Sequence, residues 1–388
     1  MYRPVLPVAL ARAHAALHWA AARAGAVLAQ ASGVAAVVVA AALASTAPAQ
    51  AAEPAPPLKV LRFALPSAES GFDPAQVTDL YSNTLIANML EAPLEYAYLA
   101  QPALVRPCTA VALPEVSDNF RRWVFTIRPG ILFADDPAFD GAPRELTAAD
   151  YVYSIKRHYD PRWKSGKLYL FESAKLLGLS ELRRELMAAR KPFDYDREVE
   201  GLRVLDRYRF EVRLAEPAPR LAYHFADPSI SGAVAREVVE RYGDAMNEHP
   251  VGTGAFRLGA WKRSSRIVLE RNPRYRGVAY DEHPAAGDAA RQATAKAFAD
   301  RRMPFVDRVE IGVIEEPQPR WLSFLNAEYD FIEKVPEEFA PIALPGNRLA
   351  PNLAKRGIAM QRYRRADGSF TYFAMENPVV GGYTPEKV

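Results

Sequence analysis

A mixed α/β fold, partly α+β in character, is predicted for this 388-residue chain by three stretches. Residues 123–157 read as strand, turn, strand, loop and capped helix without a gap. Residues 202–214 read as a hairpin, and residues 250–277 as a glycine-led pair of strands. The length admits two or three domains, with ample apolar residues for a core.

Residues 1–51 are foreign to the rest. Arg3, Arg12 and Arg23 supply positive charge, residues 34–43 contain only Ala, Val and Leu, and Ala47, Ala49 and Ala51 form small-residue cleavage patterns. A membrane anchor is the competing reading. Ala, Gly, Gln and Ser dilute the apolar run, and the Ala49-Gln50-Ala51 pattern follows it directly, so a cleavable secretory signal is expected. The whole chain has 49 Lys plus Arg against 46 Asp plus Glu, and loss of the three signal arginines leaves 46 against 46. A chain of that balance lacks the sustained positive field of a nucleic-acid or anionic-membrane binder. No cysteine lies near the cleavage region, which argues against a lipoprotein and for a periplasmic product. Cys108, the single cysteine, cannot form an internal disulfide and is expected to be buried and inert.

After an Ala/Pro linker, 52–57, the run 58–65 reads as a buried first strand bounded by Pro66. Residues 71–74 form a turn-rich loop, and Asp79 is placed to cap a helix expected to turn Leu80, Thr84, Ala87 and Met89 toward the core. Within 123–157, Trp123, Phe125 and Ile127 alternate with Val124, Thr126 and Arg128, the period of a strand with one buried face. Pro129-Gly130 turns the chain into a second apolar run, 131–133, followed by a polar loop, 134–145. Thr147 can cap a helix with Asp150 completing a variant capping box, and Tyr151, Ile155 and Tyr159 recur on one face.

Further on, residues 181–190 form a charged helical segment with a solvated face. Phe210, Val212 and Leu214 alternate in the hairpin's second strand. From residue 250, Gly252 and Gly254 enter a strand, Trp261 occupies a turn, and Ile267 and Leu269 continue in the return strand. Residues 277–304 read as a surface insertion with a short helix. Residues 305–314 read as a strand, 317–328 as a helix presenting Trp321, Phe324 and Leu325, and 329–332 as another strand.

Ser117, Asp118, Phe125, Ile127, Arg128, Pro129, Gly130, Phe133, Gly141, Leu146, Thr147, Ala148, Asp150, Tyr151, Ser154 and Arg157 stand where the family 5 bacterial extracellular solute-binding proteins carry their signature. The chain resembles that family, the oligopeptide and dipeptide receptors of ABC importers. The segment GTGAFRLGAW with the later LERNPRYRG is similar to a second family landmark, with Ala255 for the usual Pro and Arg276 for the usual aromatic. The loop at 135–140 is longer than the family's.

The resemblance implies a type II periplasmic binding protein-like fold of two lobes with an extra small subdomain. It implies a discontinuous first lobe, 58–90 and 229–335, a small α+β subdomain, 91–228, and a hinge with the start of a second lobe, 336–388. Residues 369–377 read as that lobe's opening strand. A helix start at Thr384 and Pro385, just before Val388, leads to the expectation of an incomplete second lobe. Candidate ligand contacts are Glu69, Ser70, Gly71 and Phe72, with Gly252, Thr253 and Gly254 lining the same cleft or shaping its backbone.

Catalytic chemistry finds no support. His158, His224, His249 and His283 are widely separated, with no H-E-x-x-H pattern and no cysteine pair, so no metal site is expected. No G-x-S-x-G elbow is present. Asp135-Asp136 and Glu315-Glu316 are adjacent acids whose side chains diverge, and they read as loop charges. The expectation is a monomeric, cofactor-free receptor, not an enzyme, that takes a peptide or other small solute to an ABC permease and its ATPases. The alternatives are a permease-contacting lobe that binds no ligand and a periplasmic hydrolase.

Overall fold

The computed structural model describes residues 57–362 and, beyond them, 371, 374–377, 379 and 382. The signal at 1–51, the linker as far as residue 56 and the helix start at Thr384 lie outside the described residues. So does much of the strand expected at 369–377; of its described residues, 371 is in no strand and 374–377 form a turn closed by Asn377 N–H on the Ala374 carbonyl. Asn377 followed by Pro378 suits a turn better than a strand.

Elements follow in the order β1 (Val60–Leu65), α1 (Leu80–Met89), β2 (Leu94–Tyr96), β3 (Val105–Pro107), β4 (Glu115–Ser117), β5 (Arg122–Thr126), α2 (Ala148–Tyr159), α3 (Leu168–Ala174), α4 (Leu179–Ala188), β6 (Leu202–Val204) and β7 (Arg209–Arg213). Then come α5 (Arg236–Tyr242), β8 (Phe256–Lys262), β9 (Arg266–Arg271), α6 (Ala289–Phe298), β10 (Arg308–Val313) and α7 (Pro317–Leu325), with shorter helical turns between. Among the described residues one sheet has the order β1-β10-β9-β8 and another β4-β5-β7-β6. In the first sheet β1 runs parallel to β10 and the remaining pairs are antiparallel; the second sheet is antiparallel throughout.

One continuous buried cluster joins the two sheets. It runs from Leu65, Ile267, Leu269, Val309 and Ile311 through Leu85, Ile86 and Met89 of α1 to Trp123, Phe125, Tyr151, Phe210 and Val212. Its centre is aromatic: Phe125 stacks on Phe210 at 4.9 Å between centroids and meets Phe225 at 4.5 Å, while Tyr151 lies 5.7 Å from Phe210. Offset and tilted ring pairs of this kind add to the area they bury. A smaller cluster gathers Trp321, Ala343, Ala350 and Leu353.

α2 forms as the sequence predicts. Tyr151, Ile155 and Tyr159 are fully buried, and the Asp150 carboxylate accepts from the Thr147 backbone N–H at 2.7 Å and its hydroxyl at 2.9 Å. Asp79 caps α1 by accepting from Ser82 N–H at 2.7 Å.

Several expectations are corrected. The buried face of α1 is Ser82, Leu85, Ile86 and Met89, not Leu80, Thr84 and Ala87, which are exposed. The spacing 82, 85, 86, 89 is itself a helical stripe, set by Leu85, Ile86 and Met89 in the core, and it brings Ser82 inward to accept from Ser70 N–H. Val124 is buried as deeply as Trp123, because its cross-strand neighbour Glu211 is bridged by Arg122 and Arg203, a charged row that closes over that face. The runs at 131–133 and 329–332 make single bridges, Leu132 with Glu145 and Phe63 with Phe331, in place of strands. Trp261 lies within β8, opposite Ile267, and the turn follows it.

The aromatic centre predicts a measurable cost. Phe210→Ala should destabilise the fold by about 3–5 kcal/mol in urea titrations; a loss below about 1 kcal/mol would contradict the packing described.

Candidate functional site

The parallel strand β1 ends at Leu65, and the chain then crosses the sheet's edge through residues 66–73 into α1. In open α/β sheets, ligands bind beyond the carboxyl ends of the strands, which makes this loop the first place to look. It is held at both ends and in the middle.

At its far end Asp73 is wholly buried and receives a bidentate pair of bonds from Arg157, Nη1 at 2.7 Å and Nη2 at 2.8 Å. Arg157 comes from the last turn of α2, is itself 1% exposed, and lies over the Trp163 ring at 4.3 Å. Burial alone would raise the Asp73 pKa, but the charge and hydrogen bonds of Arg157, with help from Gln76 and Ala75 N–H, outweigh it and hold the carboxyl below its ordinary value.

At the near end Glu69 is 4% exposed. Its Oε1 accepts from Trp261 Nε1 at 2.5 Å and Ser264 N–H at 3.1 Å, while its Oε2 is buried without a partner. Ser70 Oγ donates to Asp79 at 2.5 Å, and Ser70 N–H donates to Ser82 Oγ at 2.9 Å. Phe72 is fully buried, edge-on to Trp261 at 4.9 Å. Gly71 has φ +151°, and a Cβ there would fall 2.1 Å from Asn247 Nδ2. Both the dihedral and the close approach require glycine.

Glu69, Ser70, Gly71 and Phe72 are thus brought together. Gly252, Thr253 and Gly254 are elsewhere, against the other end of α1. Gly254 N–H donates to the Met89 carbonyl at 2.9 Å, and a Cβ at Gly252 would lie 2.2 Å from that same oxygen. Thr253 Oγ1 donates to Glu91 at 2.8 Å, where Arg276 Nη1 also bonds at 2.7 Å. Since the loop meets α1 at Ser82 and the glycines meet it at Met89, the two groups stand about 10 Å apart along the helix axis. The glycines act on backbone approach, and Thr253 points into the Glu91 site.

Sequence reasoning missed Asp73, Ser82, Arg157 and Asn247 as determinants of the loop. Arg157 was visible as part of the signature, but nothing local indicates a partner 84 positions away. The Cys108 residue is half-buried; burial and the nearby Glu91 push its thiol well up, consistent with an inert group. His158 is a satisfied core histidine, bonded to Ser165 Oγ at 2.7 Å and the Ile230 carbonyl at 2.8 Å, and burial pushes its pKa down to about 4. Among the described residues no group of His, Cys, Asp and Glu could hold a metal ion. A groove of about 760 Å³ opens away from the loop, between α2, β6 and α5, near Tyr153, Lys156, Tyr195 and Arg236. Two of its cations are already engaged, Arg236 with Asp196 and Glu240 and Lys156 with the Tyr195 and Arg197 carbonyls.

Residues 104–380 match the family described as "Bacterial extracellular solute-binding proteins, family 5 Middle". The chain is 32% identical over 171 residues to the periplasmic oligopeptide-binding protein OppA of Salmonella typhimurium, covering 44% of this chain and 28% of that one. It is 27% identical over 225 residues to di/tripeptide-binding protein 2 of Pseudomonas aeruginosa, covering 56% and 38%. Among solved structures it is similar to Haemophilus influenzae OppA in complex with the peptide RPPGFSPFR, at TM-score 0.56 and 20% identity over 75% of this chain and 50% of that one. Burkholderia pseudomallei OppA gives TM-score 0.55 and 21% identity over 74% and 48%. These likenesses establish a type II periplasmic binding protein fold. The matched span is 28 to 38% of the length of the two curated relatives and about half that of the two structures.

The loop's restraints can be tested by three substitutions. Arg157→Leu strands a buried carboxylate and should cost about 3–5 kcal/mol, whereas Gly71→Ala should cost more than about 1 kcal/mol, both read from chemical denaturation. Because the folded-state pKa of Asp73 is depressed, the pair's stabilisation is full above the ordinary value of 3.8 and is lost as pH falls through the lower folded value. Asp73→Asn should therefore flatten the stability profile below about pH 4; an unchanged acid limb would contradict the assignment.

Proposed function

The chain belongs to the family 5 bacterial extracellular solute-binding proteins, and on that premise we propose that it is an exported peptide receptor that delivers its ligand to the permease of an ABC importer. In this reading residues 1–51 are a cleaved signal and the product is periplasmic, monomeric and not lipidated. Residues 58–90 and 229–335 serve as one lobe, 91–228 as its small subdomain, and 336–388 as the passage to a second lobe. Among the described residues no helix is long and apolar enough to cross a membrane.

The observation that carries the reading is the loop at the carboxyl end of β1, locked between Arg157 and Trp261. A receptor needs apolar walls and a few fixed polar groups, not a reactive centre. The half-buried Trp261 supplies the wall, with the buried Phe72 packed edge-on behind it, and Ser70 and Gly71, whose N–H groups are held by Ser82, shape the loop on which an extended ligand would lie. Glu69 Oε2, buried and unpartnered, is the acceptor left for a donor on the ligand. Gly252, Thr253 and Gly254 shape the backbone behind α1. Relatives with peptide-binding names support the choice of peptide.

Closure around a ligand is a population shift that draws on contacts from both lobes. Calorimetry of the 388-residue chain with mixed di- to pentapeptides should give saturable heat with Kd between about 1 μM and 1 mM, and the peptides should be recovered intact. Absence of saturable binding throughout the set would contradict the receptor reading, and peptide cleavage would favour a hydrolase.

A further inference from the structure

Asn247 lies in the 3₁₀ turn Gly243–Glu248, 174 to 177 positions from the loop it touches. Its Oδ1 accepts the backbone N–H of both Phe72 and Asp73 at 3.1 Å, and its own carbonyl accepts Phe72 N–H at 2.9 Å. Its Nδ2 donates to the Ser70 carbonyl at 3.2 Å. One side chain thus reads three consecutive peptide units on either side of Gly71, the residue whose conformation leaves the loop most freedom. Asn carries its acceptor and its donor on separate atoms of one planar amide, on a stem one carbon shorter than that of Gln.

The turn that carries Asn247 is itself braced by the long loop at 135–140. Asp136, buried in that loop, accepts from Tyr242 Oη at 3.1 Å and meets His249 Nε2 at 2.7 Å, and the Tyr242 and His249 rings lie 3.9 Å apart. Asp135 receives Arg274 Nε at 2.8 Å. Arg263 ties the far side, donating to the Ser70 carbonyl and to Glu248. Asp135 and Asp136 are therefore loop charges that also serve as a support.

We propose that Asn247, braced through Asp136, is a positioning residue that sets the shape of the ligand loop before the ligand arrives. The proposal rests on the receptor reading above, in which Glu69, Ser70, Gly71 and Phe72 meet the ligand. An unrestrained loop containing a glycine at positive φ would have to be ordered on binding, and that entropy would be subtracted from affinity. With Asn247 in place the ordering is complete in the folded protein.

The test is calorimetric, on the full chain, with tri-alanine and tri-lysine as probes. Asn247→Leu matches the size but removes every side-chain bond, and should weaken binding by about tenfold or more. Asn247→Asp keeps both acceptor bonds but loses the donor to the Ser70 carbonyl, and should fall between wild type and Asn247→Leu, as should Asp136→Ala. A merely structural role would lower binding only in step with stability in urea titrations, whereas positioning lowers binding at unchanged stability. Binding by Asn247→Leu within about twofold of wild type, or equal losses in the Leu and Asp variants, would overturn the inference while leaving the receptor reading in place. Failure of wild type to bind either probe or any member of the di- to pentapeptide set would overturn both.

Discussion

The buried ion pair between Asp73 and Arg157 is the constraint on which the candidate site depends. Taking both charges out of water costs about as much as their attraction returns, so such a pair adds little net stability over a well-packed apolar one. What it supplies is geometry. A bidentate contact at 2.7 and 2.8 Å between groups that are both almost wholly buried is satisfied in one arrangement, and leaving either charge alone is expensive. The loop after β1 is therefore fixed in register with the last turn of α2. The family signature ends at Arg157, so its final residue reaches into the site that the rest of the signature only supports.

α1 carries the same logic along its length. Its first turn presents Ser82 and the capping Asp79 to the loop, and its last residues present the Met89 carbonyl and Leu90 to Gly252 and Gly254. Its inward stripe of Leu85, Ile86 and Met89 joins the core that runs between the two sheets. A helix used at both ends and on one face has little freedom to shift, so the loop rests on a rigid base. Rigid support of this kind is what a binding loop needs if its groups are to be held ready for a ligand.

What the sequence made legible follows from range. The α2 face of Tyr151, Ile155 and Tyr159, the Asp79 cap and the alternation of Phe210, Val212 and Leu214 are local periodicities, and all appear in the fold. The stripe on α1 was misread because Ser82, polar and unremarked, lies on the face set by Leu85, Ile86 and Met89, which leaves Leu80 exposed. Trp261 looked like a turn residue because Arg263, Ser264 and Ser265 follow it, yet its indole is the partner of Glu69. Asp73 with Arg157, and Asn247 with the Phe72 amide, join residues 84 and 175 positions apart; pairings at such distances leave no period to read. The four loop residues were found together, while Gly252, Thr253 and Gly254 proved to act at the opposite end of α1.

The central claim is that the signature helix holds the loop after β1 through a single ion pair. Residue-resolved amide hydrogen exchange in wild type and Arg157→Leu tests it most directly, with the β9 amides of Ile267 and Leu269 as internal controls for global unfolding. The account predicts that the Phe72 and Asp73 amides, protected by Asn247 in wild type, exchange at least about tenfold faster in the variant while the β9 amides keep their protection relative to the loop. Equal protection of the loop in both proteins, at matched β9 exchange, would contradict it.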